Sequence, residues 1–192
     1  TEAIHLSNYP SGLLDVQVHE RMLVQLGKRV EHIDQNRVRI YQDDRALQTT
    51  LVWEERSIRN TLLILGALTA RYGEGKVPLP GGCKLGERKY DLHVIALEKL
   101  GAEVWEEKGY LCAKVKKGKR LTGVKVHLPI RSTGATENLI LMGTLARGKT
   151  IIYNPHIRPE IMDLIAMLSA MGAKIKVFGQ RSIEIQGVEF LK

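Results

Sequence analysis

Aromatic rings are scarce in this chain: two Phe, two Trp and six Tyr among 192 residues. So few rings leave little with which to build a stacking surface for single-stranded bases, and no nucleic-acid partner is expected. Cysteine is scarcer still, with Cys83 and Cys112 the whole supply. Two thiols do not make a disulfide scaffold, and they point to a reducing, cytoplasmic setting. No run of about 18 apolar residues occurs, so no membrane-spanning helix is expected. A basic-then-apolar leader does not open the chain either. Metal-ligand spacings, a Walker loop and a dinucleotide-type glycine pattern are all missing, so neither a metal nor a cofactor is expected.

What the chain has is positive charge. It carries a formal +8 and a pI near 9.5, and such a chain attracts anions, among them small phosphorylated or carboxylated substrates. The cations are scattered. Lys114 to Arg120 is the one dense cluster, and it reads as a solvated hairpin tip. A hydrophobic share of 44% suffices for one core and one or two domains.

The chain also repeats itself. Three segments, about 1–46, 47–120 and 121–192, share one plan. A short strand is followed by a Pro-marked turn, an amphipathic helix ending at Gly, and a two-stranded hairpin. Pro10 and Gly27 stand 17 positions apart, Pro155 and Gly172 also 17, and Pro80 and Gly101 21. Ile157, Ile161, Leu164, Ile165, Leu168 and Met171 recur every three or four residues and lay one apolar stripe along a helix. Gly172 then supplies a left-handed stop. Copies two and three carry a further helix before the first strand, in "SIRNTLLILGALTARYG" and "GATENLILMGTLAR". Copy one lacks it, and the repeat leads us to expect further residues of the same fold ahead of Thr1.

The four extra positions of copy two fall in "PLPGGCKLGERKYDLH", Pro78 to His93. An insertion in a regular repeat marks a candidate functional loop. Gly81 and Gly82 give it backbone freedom. Cys83 follows, and the nearby Lys84 and Arg88 favour its thiolate. It reads as a nucleophile or general acid, or as a small buried apolar residue. Cys112, in the alternating "YLCAKV", reads as core. Asp91 stands near a helix start, as a cap or a ligand contact. His93 reads as a packed residue or a catalyst. In "RSTGATEN", Ser132, Thr133 and Gly134 open a helix, as a phosphate site or as ordinary capping. Arg59, near the start of the helix before copy two, is a guanidinium for phosphate or carboxylate, or a surface arginine. "NPHIRPE" reads as a turn and helix start with no catalytic role.

"LPGGCKLGERKYDLHVIALEKLGAEV", "STGATENLILMGTLARGKTIIYNP" and "RPEIMDLIAMLSAMGAKI" resemble the UDP-N-acetylglucosamine enolpyruvyl transferases, within the EPSP-synthase-like enolpyruvyl transferase family. The resemblance covers nearly the whole chain and is weakest before Arg56. It implies an α/β (α+β) fold, an inside-out α/β barrel domain built from three βαβαββ repeats with the first truncated. It also implies a second, similar domain outside this chain. The implied reaction moves the enolpyruvyl group of phosphoenolpyruvate onto the 3-hydroxyl of UDP-N-acetylglucosamine and releases phosphate, without a metal. By the same resemblance Cys83 is the loop cysteine that handles protons on phosphoenolpyruvate and that fosfomycin alkylates. Arg59 and Arg88 hold phosphoenolpyruvate or pyrophosphate charge. Asp91, Leu92 and His93 line the uracil side of the nucleotide, and Ser132, Thr133 and Gly134 meet the diphosphate. Lys89 and Tyr90 stand where the family usually has Pro and Val, Ile130 where Lys is common, and Ala67 where Pro is common. These departures keep a second expectation open, a paralogue acting on another uridine nucleotide. A substrate-binding domain inactive without its partner domain is a further one.

Overall fold

The computed structural model describes residues 3–43, 47–54, 58–80 and 90–192. The fold is α/β. Its described elements run β1 (Ile4–Leu6), α1 (Leu14–Gln25), β2 (Lys28–Asp34), β3 (Arg37–Gln42), α2 (Thr61–Tyr72), β4 (Glu74–Pro78), α3 (Asp91–Lys99), β5 (Ala102–Glu107), β6 (Tyr110–Val115), β7 (Lys125–His127), α4 (Thr133–Leu145), β8 (Lys149–Tyr153), α5 (Pro159–Ala170), β9 (Lys174–Phe178) and β10 (Ser182–Gln186).

Three small sheets share one winding: β1-β3-β2, β4-β6-β5 and β8-β10-β9. In each, the last strand returns to the middle, antiparallel to both neighbours. The third sheet gains β7 alongside β8, in parallel. That short strand precedes α4 and completes the βαβαββ order that the family resemblance implies; the residue pattern alone did not mark it, because three residues are too few to show a period. The second sheet has a remnant of the same feature. Thr50 bridges Lys76 in parallel, and the Leu51 amide donates to the Lys76 carbonyl at 2.8 Å.

Helices α1, α3 and α5 end alike. Gly27, Gly101 and Gly172 follow them with φ of +89°, +95° and +97°, a region that a side chain disfavours. The regular glycine spacing in the sequence is this backbone requirement repeated three times. Helix α5 shows the one-sided burial that its stripe predicts, with Ile161, Ile165 and Leu168 inside and Met162 and Met167 exposed. Pro159 occupies its first turn, where a missing N–H costs nothing.

Helices α2 and α4 differ. Leu62, Ile64, Leu65 and Leu68 of α2, and Leu139, Ile140 and Met142 of α4, are all buried. Apolar residues on more than one side make these the inner helices. Each fully buried Leu or Ile contributes roughly 1.5–3 kcal/mol. The sequence expectation began the α2 helix at Ser57, but α2 begins at Thr61, with Arg59 and Asn60 in the turn before it.

The basic cluster is not a hairpin tip. The tip between β5 and β6 is Lys108–Gly109, both at positive φ (+50° and +82°), as a tight two-residue hairpin turn requires. Lys114 to Arg120 instead runs off the end of β6 toward β7. Arg120 there donates from Nη2 to the carbonyls of Leu145 and Val188, at 2.5 Å each. It ties the carboxyl end of α4 to the segment after β10.

An apolar cavity of about 490 Å³ opens near the carboxyl-terminal halves of α2, α4 and α5. Ile4, Leu26, Ile40, Leu68, Leu145 and Leu168 are among its lining. None of the sequence-derived site residues among the described residues lines it. No helix among the described residues is long and apolar enough to cross a membrane.

Candidate functional site

The starts of α2, α3 and α4 meet, and His93 marks the meeting point. Its place in the first turn of α3 puts the ring inward, and 7% of the residue remains exposed. On one side, Asn138 Nδ2 of α4 lies 3.0 Å from His93 Nδ1. The same Nδ2 donates to the Leu62 carbonyl of α2 at 3.1 Å. One amide thereby connects three helices. On the other side, the ring rests on α4 itself. A Cβ built on Gly134 would stand 3.3 Å from His93 Nε2, so glycine allows the close approach.

Burial and, secondarily, the positive charge of Arg59 push the His93 pKa down to about 4. The ring is therefore neutral at neutral pH. That electrostatic coupling also places Arg59 at this meeting point, in the turn before α2. Five sequence-derived residues come together here: Arg59, His93 and the Ser132–Thr133–Gly134 start of α4.

Ser132 caps α4, its Oγ accepting from the Ala135 amide at 3.3 Å. Thr133 Oγ1 lies 2.8 Å from His156 Nδ1. Both hydroxyls thus have partners within the chain. Helix geometry leaves the Thr133 and Gly134 amides without intrahelical acceptors, and the helix dipole adds positive potential there. A tight lattice backs this turn. Thr136 Oγ1 donates to the Ser132 carbonyl at 2.7 Å, and the His156 amide donates to Thr136 Oγ1 at 3.1 Å. Arg131 Nε donates to Asn154 Oδ1 at 3.2 Å, while Asn154 Nδ2 donates to the Leu128 carbonyl at 2.9 Å. "NPHIRPE" is therefore more than a turn, since it braces the start of α4. Nearby, burial and then Glu160 raise the pKa of Glu137.

Asp91 begins α3 as its first helical residue and is exposed. The N-cap is Tyr90, and no side-chain cap bond is made there, so Asp91 is not the cap. Leu92 is half-buried against the core. The Tyr90 hydroxyl donates to Glu106, which with burial raises the tyrosine pKa. Cys83 and Arg88 lie outside the described residues, as do Lys84 and Lys89. Their segment joins the end of β4 to Tyr90, three residues ahead of His93. Cys112 is buried in β6, and burial pushes its thiol pKa up, as suits a core thiol. Asn138 and His156 were missed in the sequence, because a lone polar residue in an apolar helix or turn carries no pattern of its own.

The sequence model of the EPSP synthase (3-phosphoshikimate 1-carboxyvinyltransferase) family matches residues 1–192. UDP-N-acetylglucosamine 1-carboxyvinyltransferase 1 of Carboxydothermus hydrogenoformans is 44% identical over 189 residues, covering 97% of this chain and 43% of the relative. The UDP-N-acetylglucosamine 1-carboxyvinyltransferase of Gluconacetobacter diazotrophicus is 41% identical over 192 residues, 100% of this chain and 45% of its own. Among solved structures, the enolpyruvyl transferase NikO from Streptomyces tendae superposes with a TM-score of 0.78 at 18% identity, over 97% of this chain and 43% of that one. EPSP synthase from Acinetobacter baumannii gives 0.69 at 20% identity, over 98% and 42%. At such identities the two structures speak for the fold alone. The chain spans less than half the length of the relatives it matches.

Proposed function

The chain belongs to the EPSP synthase family, and on that premise we propose that it forms one domain of an enzyme that transfers the enolpyruvyl group of phosphoenolpyruvate to the 3-hydroxyl of UDP-N-acetylglucosamine. Phosphate is released, and the step is the first committed one of peptidoglycan synthesis. A second domain of the same polypeptide completes the site. The observation that carries the reading is the convergence of Arg59, neutral His93 and the amino end of α4, with His93 standing ten positions after Cys83 in the sequence.

In this reading the start of α4 and Arg59 hold anionic oxygens, the former by free amides and helix dipole, the latter by a charged fork. Asp91, Leu92 and His93 line the uracil side of the nucleotide. Arg88 binds phosphate charge, and Cys83 moves the proton at the methylene carbon of phosphoenolpyruvate. The acceptor oxygen adds to the adjacent carbon as that proton arrives, giving a tetrahedral ketal. Loss of phosphate and of one proton from the resulting methyl group then restores the vinyl group. The net +8 charge attracts both anionic substrates. A cytoplasmic setting, a role in cell shape and division, and fosfomycin sensitivity follow from the same assignment.

A second reading rests on Lys89, Tyr90 and Ile130, which depart from the family pattern near the nucleotide. It makes the acceptor another uridine nucleotide. Phosphate release by the full-length polypeptide decides between them. Release that requires both phosphoenolpyruvate and UDP-N-acetylglucosamine supports the first reading. A folded, full-length protein that releases none overturns it.

A further inference from the structure

Asn138 has an orientation that only one assignment of its amide satisfies. The atom facing the Leu62 carbonyl must be a donor, because two oxygens at 3.1 Å would repel. That atom is Nδ2, and it is the same atom that faces His93 Nδ1 at 3.0 Å. An amide nitrogen has two hydrogens and no acceptor capacity. His93 Nδ1 must therefore accept, and the proton of the neutral ring must sit on Nε2.

We infer that Asn138 is a positioning residue that fixes His93 as its Nε2–H tautomer, aiming a neutral N–H donor at the first turn of α4. Among the described residues no hydrogen bond reaches His93 Nε2, and the nearest neighbour of a Cβ at Gly134 would be that nitrogen. The donor stands beside Gly134, in the turn that carries the Thr133 and Gly134 amides. It enlarges an anion cradle without adding a charge to be desolvated. Gly66 supplies the room, since a Cβ there would lie 1.8 Å from Asn138 Oδ1. That oxygen has no hydrogen-bond partner among the described residues. The amide is thus held by its nitrogen alone, so its two bonds from Nδ2 are what orient it.

The ligand consequence, a hydrogen bond from Nε2 to an anionic oxygen of the nucleotide, rests on the function proposed above. The tautomer does not, and it is read separately. A free neutral imidazole populates both tautomers. In the full-length protein with 15N-labelled histidine, long-range proton–nitrogen spectra at pH 7 should show His93 as Nε2–H alone, assigned by its loss in His93→Gln. A resident Nδ1 proton would overturn the inference. In Asn138→Asp the carboxylate can only accept, so Nδ1 should become protonated. An Nδ1 that stays bare there would equally overturn it. Asn138→Ala removes the donor without adding charge, so both tautomers should appear and the Kd for UDP-N-acetylglucosamine should rise about fivefold, the loss expected for one ordinary hydrogen bond. An Ala variant with the wild-type spectrum would show that Asn138 does not set the ring. Should the wild type fail to bind this nucleotide, the functional proposal falls, and the spectra still decide the tautomer.

Discussion

Gly66 and Asn138 compete for one space: a methyl carbon on residue 66 of α2 would stand 1.8 Å from Oδ1 of residue 138 on α4. The two inner helices cross there, and the crossing depends on the missing side chain. Ala in a helix interior is worth about 1 kcal/mol more than Gly by propensity. Against this stand overpacking of typically 1–3 kcal/mol and the disturbance of a buried hydrogen-bonded amide. The penalty wins, and Gly66→Ala should destabilise the protein by about 2 kcal/mol in a denaturant titration. A stabilised variant would show that the helices part easily at this point.

His93 makes stability fall in weak acid. Its folded pKa is about 4, against about 6.5 for the unfolded residue. Between these values the unfolded chain binds the extra proton. Stability contributed by the neutral ring is complete above pH 6.5 and is lost progressively as pH falls toward 4. The full loss is on the order of 3 kcal/mol. Denaturation midpoints measured from pH 7 to pH 4 should drop, and His93→Gln should flatten that part of the profile. Arg59→Ala should raise the His93 pKa only in part, because burial, the larger cause, remains.

Arg120 belongs to the fold rather than to the anion site. Its guanidinium holds the carbonyls of Leu145 and Val188, at the negative end of the α4 dipole. Solvent exposure weakens these charged hydrogen bonds. Arg120→Ala should still cost about 1 kcal/mol of stability, while Lys117→Ala, at an exposed position three residues earlier, should cost nearly nothing. Equal effects from both substitutions would return Arg120 to the solvated class.

For the proposed reaction, Cys83→Ala in the full-length protein should abolish the fosfomycin adduct seen by mass spectrometry. An unchanged adduct mass would move the reactive thiol elsewhere. Arg88→Ala should weaken binding of the phosphate-bearing substrate by about 1.5–3 kcal/mol, the worth of a charge-assisted hydrogen bond. Calorimetry with phosphoenolpyruvate checks this, and an unaltered affinity would remove Arg88 from the site.

The sequence by itself determined what repeats along the chain. The glycines that end α1, α3 and α5 stood at recurring distances, because a left-handed stop demands the same residue each time. The stripe of α5 was legible because its core face keeps the helical period. Arg59, His93 and the Ser132–Gly134 turn could be named as candidates from residue type and place. What tied them into one locale was decided by tertiary structure. Asn138 sits 45 positions from His93 and 76 from Leu62, and Gly66 matters only because α4 crosses it. Arg120 passed for a solvated cation, since its partners, 25 and 68 positions away, are backbone carbonyls that leave no mark on sequence. Local patterns record what a segment needs from itself. Contacts between helices obey packing, which any two distant residues can satisfy without a spacing rule.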